Sequence, residues 1–147
     1  MNKNFIDYFW RTTQNNANMS KDHDTKVGAV IFSEKDKVEV SSGWNDLPRG
    51  VAHLQERNQR PLKYLYTLHG EANAIINAAR MGRSTNGMSI MTTMYPCSIC
   101  AGMIINAGIT CVYSPQPDFS HEKYGQDMKL SQQMFSEAGV TCVYLEE

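Results

Sequence analysis

No run of lysines or arginines occurs in this chain, and its charges nearly cancel: 14 basic side chains against 15 acidic ones leave a formal charge of -1. A protein that grips nucleic acid through its phosphates carries a basic face, so no polynucleotide partner is expected. Also missing is any apolar stretch of about 18 residues, the least that crosses a bilayer as a helix, and with it any membrane partner. Met1-Asn2-Lys3-Asn4 leads into a polar amphipathic segment rather than the apolar core of a signal peptide. A soluble, cytoplasmic protein is the expectation. There is no internal repeat, low-complexity tract or linker, so residues 1–147 read as a single domain. Cysteine is scarce, at four residues. A hydrophobic content of 41% is enough, at this length, to bury roughly two-thirds of the unfolded surface.

Phe5, Ile6, Phe9 and Trp10 recur at helical spacing and start a helix that fades into Gln14-Asn15-Asn16-Ala17-Asn18. Its apolar face should pack on a sheet. Val27 to Phe32 is a compact apolar run, Glu34 to Lys37 a turn, and Val38 to Ser42 alternates, which together predict a hairpin. Gly43 to Lys63 reads as a long loop with one helical turn, and loops of that length in compact domains tend to be functional. Glu71 to Met81 is a predicted helix with an apolar stripe of Ala72, Ile75, Ile76 and Ala79, stopped near Gly82. Met88 to Thr92 is a third strand, Cys97 to Ala107 a helix, Thr110 to Tyr113 a fourth strand, Asp127 to Ala138 a helix and Thr141 to Leu145 a fifth strand. A strand, a helical crossover and another strand make a parallel final pair. The class is α/β, with a mixed five-stranded sheet.

Two cysteines lie in Pro96-Cys97-Ser98-Ile99-Cys100, downstream of His69-Gly70-Glu71. A Cys-x-x-Cys pair accompanied by His-x-Glu favours metal binding in a reducing compartment over disulfides. Structural zinc is usually closed by four protein ligands, whereas catalytic zinc keeps three and leaves the fourth position to water. His69, Cys97 and Cys100 make three. His23, His53 and His121 are the available fourth ligands that a closed knuckle would need, and none has the short spacing to a second ligand that a knuckle shows. One catalytic Zn²⁺ per chain is therefore expected, with Glu71 as the proton carrier, first base and then acid. Both ligand segments open helices, whose positive ends favour thiolate over thiol. The pattern resembles the signature of zinc nucleobase deaminases, and that resemblance implies hydrolytic removal of an amine from an aromatic amidine carbon. Cys111 and Cys142, each in a short apolar run, read as buried free thiols in strands, which leaves no second zinc site.

Beyond the metal motif, four segments carry a resemblance: Ser20-Lys21-Asp22 with Thr25-Lys26-Val27-Gly28-Ala29-Val30, Gly43-Trp44-Asn45 with Pro48-Arg49-Gly50, Arg60-Pro61-Leu62-Lys63-Tyr64, and His69-Gly70-Glu71-Ala72-Asn73-Ala74-Ile75. Together they resemble the deoxycytidylate deaminase family over nearly the whole chain. The zinc motif alone is shared with cytidine, tRNA adenosine and polynucleotide deaminases. The resemblance implies a three-layer α/β/α cytidine-deaminase-like fold and zinc-dependent hydrolysis of dCMP to dUMP and ammonia in pyrimidine nucleotide metabolism. It also implies a homo-oligomer, commonly a hexamer, with dCTP and dTTP as allosteric effectors. Asn45 is then the partner of the deoxyribose hydroxyl, and Lys21 and Lys26 are candidates for the phosphate. Gly70, in place of the family's usual alanine, keeps a backbone N–H for the substrate, and Tyr66 and Tyr95 are candidates to stack on the base. Asp46 stands where glycine often follows the asparagine in the effector loop. A carboxylate beside phosphates repels them unless Mg²⁺ intervenes. The rivals are a deaminase of dCTP or deoxycytidine, a tRNA adenosine deaminase that should carry a basic face, and an inactive zinc-binding scaffold that has no use for Glu71.

Overall fold

The computed structural model describes residues 1–146. β1 (Gly28–Ser33) and β2 (Val38–Trp44) form the antiparallel hairpin that the apolar run and the alternating segment predict, around a turn in which Lys37 takes a φ of 59°. β3 (Ser89–Thr92) joins the other side of β1, also antiparallel. β4 (Cys111–Pro115) and β5 (Thr141–Leu145) then add in parallel, giving the order β2-β1-β3-β4-β5. The final pair is parallel as expected, and β3 with β4 is parallel too.

Among the described residues, α1 (Lys3–Asn18) covers one face and α3 (Gly70–Arg80), α4 (Ser98–Asn106) and α5 (Gly125–Ala138) the other, with the short α2 (Lys63–Tyr66) in the loop before α3. Successive strand residues point to opposite faces, so β1 divides its side chains between two cores. Val30 and Phe32 pack with Phe9 of α1, together with Met91, Cys111 and Tyr113. Phe9 stacks on Phe32 with ring centroids 4.2 Å apart. Ala29 and Ile31 face the other way, against Ala74, Ala101, Ile104 and Phe135 of α3, α4 and α5. Helix, sheet, helix is the three-layer arrangement. No helix among the described residues is long and apolar enough to cross a membrane.

The placement of α3 decides where the site lies. A Cβ at Gly43 would sit 2.5 Å from the Ala74 backbone nitrogen, so α3 approaches β2 more closely than any side chain at that position allows. Asn73 and Asn77 donate their side-chain amides to the Trp44 and Ser42 carbonyls, each at 2.8 Å, which satisfies backbone groups of an edge strand. This contact corrects half of the expected stripe, since Ala72 and Ile75 do turn to the core. Ala74 and Ala78 are fully buried, whereas Ile76 is 44% exposed and Ala79 is also exposed. Close approach selects small side chains for the inner face, whatever their hydropathy. The long loop after β2 carries a 3₁₀ turn at Gln55–Asn58 before α2. Asp46 and Leu68 close it with reciprocal backbone hydrogen bonds of 3.1 and 2.8 Å.

Candidate active site

His69 holds an extended conformation as the N-cap of α3 (φ -71°, ψ 155°), and Glu71 follows in the first turn. Gly70 between them is fitted rather than merely tolerated. A Cβ there would lie 2.9 Å from the Val27 carbonyl oxygen, immediately before β1, so alanine could enter only by moving backbone. Cys97 is the N-cap of α4, its sulfur accepting from the Cys100 N–H at 3.5 Å, and Cys100 is three residues on. Two helix starts, one from the helix before β3 and one from the helix after it, meet beyond the C-terminal end of β3 and present the candidate donors.

The His69 Nδ1 atom lies 3.5 Å from Cys97 Sγ and 3.4 Å from Cys100 Sγ. With bonds of about 2.3 Å to sulfur and about 2.0 Å to nitrogen, ligands around a tetrahedral zinc ion stand roughly 3.5–3.8 Å apart. The trio matches that spacing closely enough to hold zinc with small adjustments. Among the described residues it is the group of metal-ligating side chains that clusters, its ligand atoms all within 4.8 Å of one another. No other histidine comes near. His53 Nε2 stands 3.6 Å from Asp46, and His121 Nδ1 accepts the backbone N–H groups of Lys123 and Tyr124. Cys97 is drawn down to about 4, chiefly by its hydrogen bond with the Cys100 thiol and then by that with His69, while the same pairing and burial push Cys100 up. The hydrogen bond with Cys97 raises His69. Glu71 is 4% exposed, and burial pushes its carboxyl up to about 7. A carboxyl poised there can both accept and release a proton at neutral pH.

The trio's His69 and Cys97, with Gly70 and Glu71, open onto a cavity of about 290 Å³, which suits a small molecule. Asn45 and Tyr95 also line it. Asn45 is already engaged: its carbonyl accepts the Val27 N–H at 2.9 Å and its amide donates to the Thr25 carbonyl at 2.8 Å. One N–H and one lone pair remain for a ligand. Tyr95 is buried, and among the described residues its hydroxyl is the buried side-chain polar atom without a partner.

Three of the sequence-predicted residues are not on the cavity wall. Lys21 and Lys26 are exposed, and Lys26 gives its ammonium to the Ser20 carbonyl at 2.8 Å. Along this extended segment Asp22 and Val27 turn inward and the lysines outward. Tyr66, the last residue of α2, lies instead under the Arg57 guanidinium, 4.6 Å from its ring centroid. The cations that do line the cavity are Arg60 and Lys63, with Tyr64, Tyr124 and Asp127 nearby. The segment Arg60-Pro61-Leu62-Lys63-Tyr64 was a signal available in the sequence, but nothing local showed which way it would face.

A three-layer sheet carrying a His, Cys, Cys trio beside a buried carboxylate defines the class of zinc-dependent deaminases. The chain belongs to the family described as the cytidine and deoxycytidylate deaminase zinc-binding region, whose profile matches residues 3–114. It is 41% identical over 139 residues to an uncharacterized deaminase in the luxG 3' region of Aliivibrio fischeri, covering 93% of this chain and 90% of that one. It is also 32% identical over 143 residues to human deoxycytidylate deaminase, covering 92% of this chain and 76% of the human protein. The dCMP deaminase of cyanophage S-TIM5, solved with dCMP and dUMP, superposes with a TM-score of 0.78 over 99% of both chains at 24% identity, a likeness of fold.

Proposed function

We propose that this protein is a single-domain deoxycytidylate deaminase that hydrolyses dCMP to dUMP and ammonia with one zinc ion held by His69, Cys97 and Cys100. The observation that carries the reading is the buried carboxylate of Glu71 opening onto the same cavity as the ligand trio. Zinc held by these three residues would supply a nucleophile at neutral pH by making water more acidic. Glu71 would carry two protons in turn: one from the attacking water to the ring nitrogen of cytosine, and then the hydroxyl proton of the tetrahedral adduct to the amine, which leaves as ammonia as the carbonyl forms. Gly70 offers its backbone N–H at the start of α3, and Tyr95 supplies an aromatic wall for the base. Asn45 meets the sugar hydroxyl with its unspent N–H and lone pair.

Arg60 and Lys63 take the phosphate role in place of Lys21 and Lys26. Lys63 is neutralised by Asp22 at 3.2 Å, whereas Arg60 is exposed and pairs only with the exposed Asp24 and with Tyr64. Arg60 can therefore turn to a ligand at little cost and is the main phosphate contact. Asp46 is occupied by the Leu47 N–H and the Trp44 indole, which supports a structural role for it over an effector or Mg²⁺ contact. Ile99 and Leu130, 70% and 55% exposed on α4 and α5, support self-association. Free thiols at the site favour a reducing compartment such as the cytoplasm.

The test is ammonia release from dCMP, dCTP and deoxycytidine side by side, with zinc measured on the same sample. dCMP should be turned over most efficiently. Equal or better turnover of deoxycytidine would remove the phosphate from the reading, and a preference for dCTP would change the substrate.

A further inference from the structure

The carboxylate of Asp127, in the first turn of α5, reaches across to the start of α4. Its Oδ2 accepts the Ser98 N–H at 2.9 Å, and its Oδ1 accepts the Ser98 hydroxyl at 2.6 Å. Ser98 is the first residue of α4 and lies between the two thiol ligands. The opening N–H groups of a helix have no partner within it. Here the Cys97 sulfur accepts the Cys100 N–H at 3.5 Å, and Asp127 supplies a charged, doubly anchored acceptor for Ser98. A charged acceptor held by two donors fixes direction as well as distance. Turning Ser98 would turn the Cys97 and Cys100 side chains with it, because all three share one helical turn.

The geometry points to Asp127 as a positioning residue of the metal centre: through Ser98 it locks the first turn of α4, and with it the separation and aim of the two thiols. The inference rests on the zinc reading of the trio. Asp127 reaches the metal through no ligand bond of its own, and it also lines the substrate cavity, so it ties α5, the cavity wall and the ligand turn into one unit. Partners of metal ligands typically change metal affinity by about 10–100-fold when removed.

The experiment follows zinc transfer from the folded protein to a chromogenic chelator, with fold checked by circular dichroism. Native protein containing no zinc would overturn the metal reading itself. With zinc present, Asp127→Ala should release it at least about tenfold faster. Asp127→Asn keeps an acceptor for the Ser98 N–H and should stay within about threefold of native, since the role is positional. The cobalt-substituted Asp127→Ala protein should show altered thiolate-to-metal absorption bands, which a contribution to stability alone would not produce. Should Asp127→Ala not fold, Ser98→Ala decides: it removes one of the two anchors and should speed release severalfold. Native release rates in folded Asp127→Ala, native release rates in Ser98→Ala where Asp127→Ala does not fold, or unchanged cobalt bands would overturn the proposal.

Discussion

The Lys63 ammonium stands 3.2 Å from the Asp22 carboxylate, with 6% and 9% of the two side chains exposed, on the wall of the active-site cavity. Asp22 also accepts the backbone N–H groups of Asp24 and Thr25 at 2.8 and 3.1 Å, so one carboxylate holds both the loop before β1 and the start of α2. Burial works to raise its pKa. The two N–H groups and Lys63 outweigh that and leave it below the usual 3.8.

Asp22→Asn should therefore destabilise the protein at neutral pH by up to about 3 kcal/mol, because it leaves the buried Lys63 ammonium with only the more exposed Asp24, at 3.5 Å, as its carboxylate partner. The native carboxylate's contribution is fully present above the ordinary value of 3.8 and is lost as pH falls through its depressed folded value. The gap between native and variant in urea unfolding should be wide at neutral pH and narrow below that value. A constant gap down the whole acid range would mean that the charge is not what holds the loop.

Cys97→Ala or Cys100→Ala should lose zinc and lower the thermal midpoint, as measured by metal analysis and calorimetry. Each removes a donor from a set of three, and metal binding to a folded site is itself folding free energy. Full zinc occupancy in either variant would point to a ligand outside the trio.

Glu71→Gln preserves shape and burial but cannot carry a proton. Zinc and stability should be kept while turnover falls by at least roughly a hundredfold. Near-native turnover would assign the proton to another group.

Arg60→Ala should raise KM for dCMP by roughly ten- to a hundredfold, the loss expected for a charge-assisted hydrogen bond, and leave deoxycytidine unaffected. Parallel loss on both substrates would show that Arg60 shapes the cavity instead of binding phosphate.

Asn45→Ala removes two buried backbone contacts and should cost about 1–3 kcal/mol of stability, with zinc unchanged. A substrate lacking the 3'-hydroxyl should be poor for the native enzyme and lose little more with the variant, since one interaction cannot be deleted twice. Additive losses would take Asn45 off the sugar.

The placement of His69, Cys97, Cys100 and Glu71 at two helix starts was legible in the sequence because each half is local: a residue at a helix start and its neighbours two or three positions on are placed by the helix itself. The same holds for the β1–β2 hairpin and the parallel last strands, where alternation and an intervening helix are enough. The inward face of α3 was legible only in part: Ala72 and Ile75 turn to the core as expected, whereas Ile76 and Ala79 do not. Hydropathy favours Ile76, but the backbone contact at Gly43 admits only alanine-sized neighbours, and that contact joins segments far apart in the chain. The cavity's charged wall was hidden for the same reason. Whether Lys26 or Lys63 meets the cavity depends on how the loop before β1 and the start of α2 pack around Asp22. Local spacing therefore determined the chemistry of this protein, while long-range packing alone decided which cations, and which carboxylate behind Ser98, surround it.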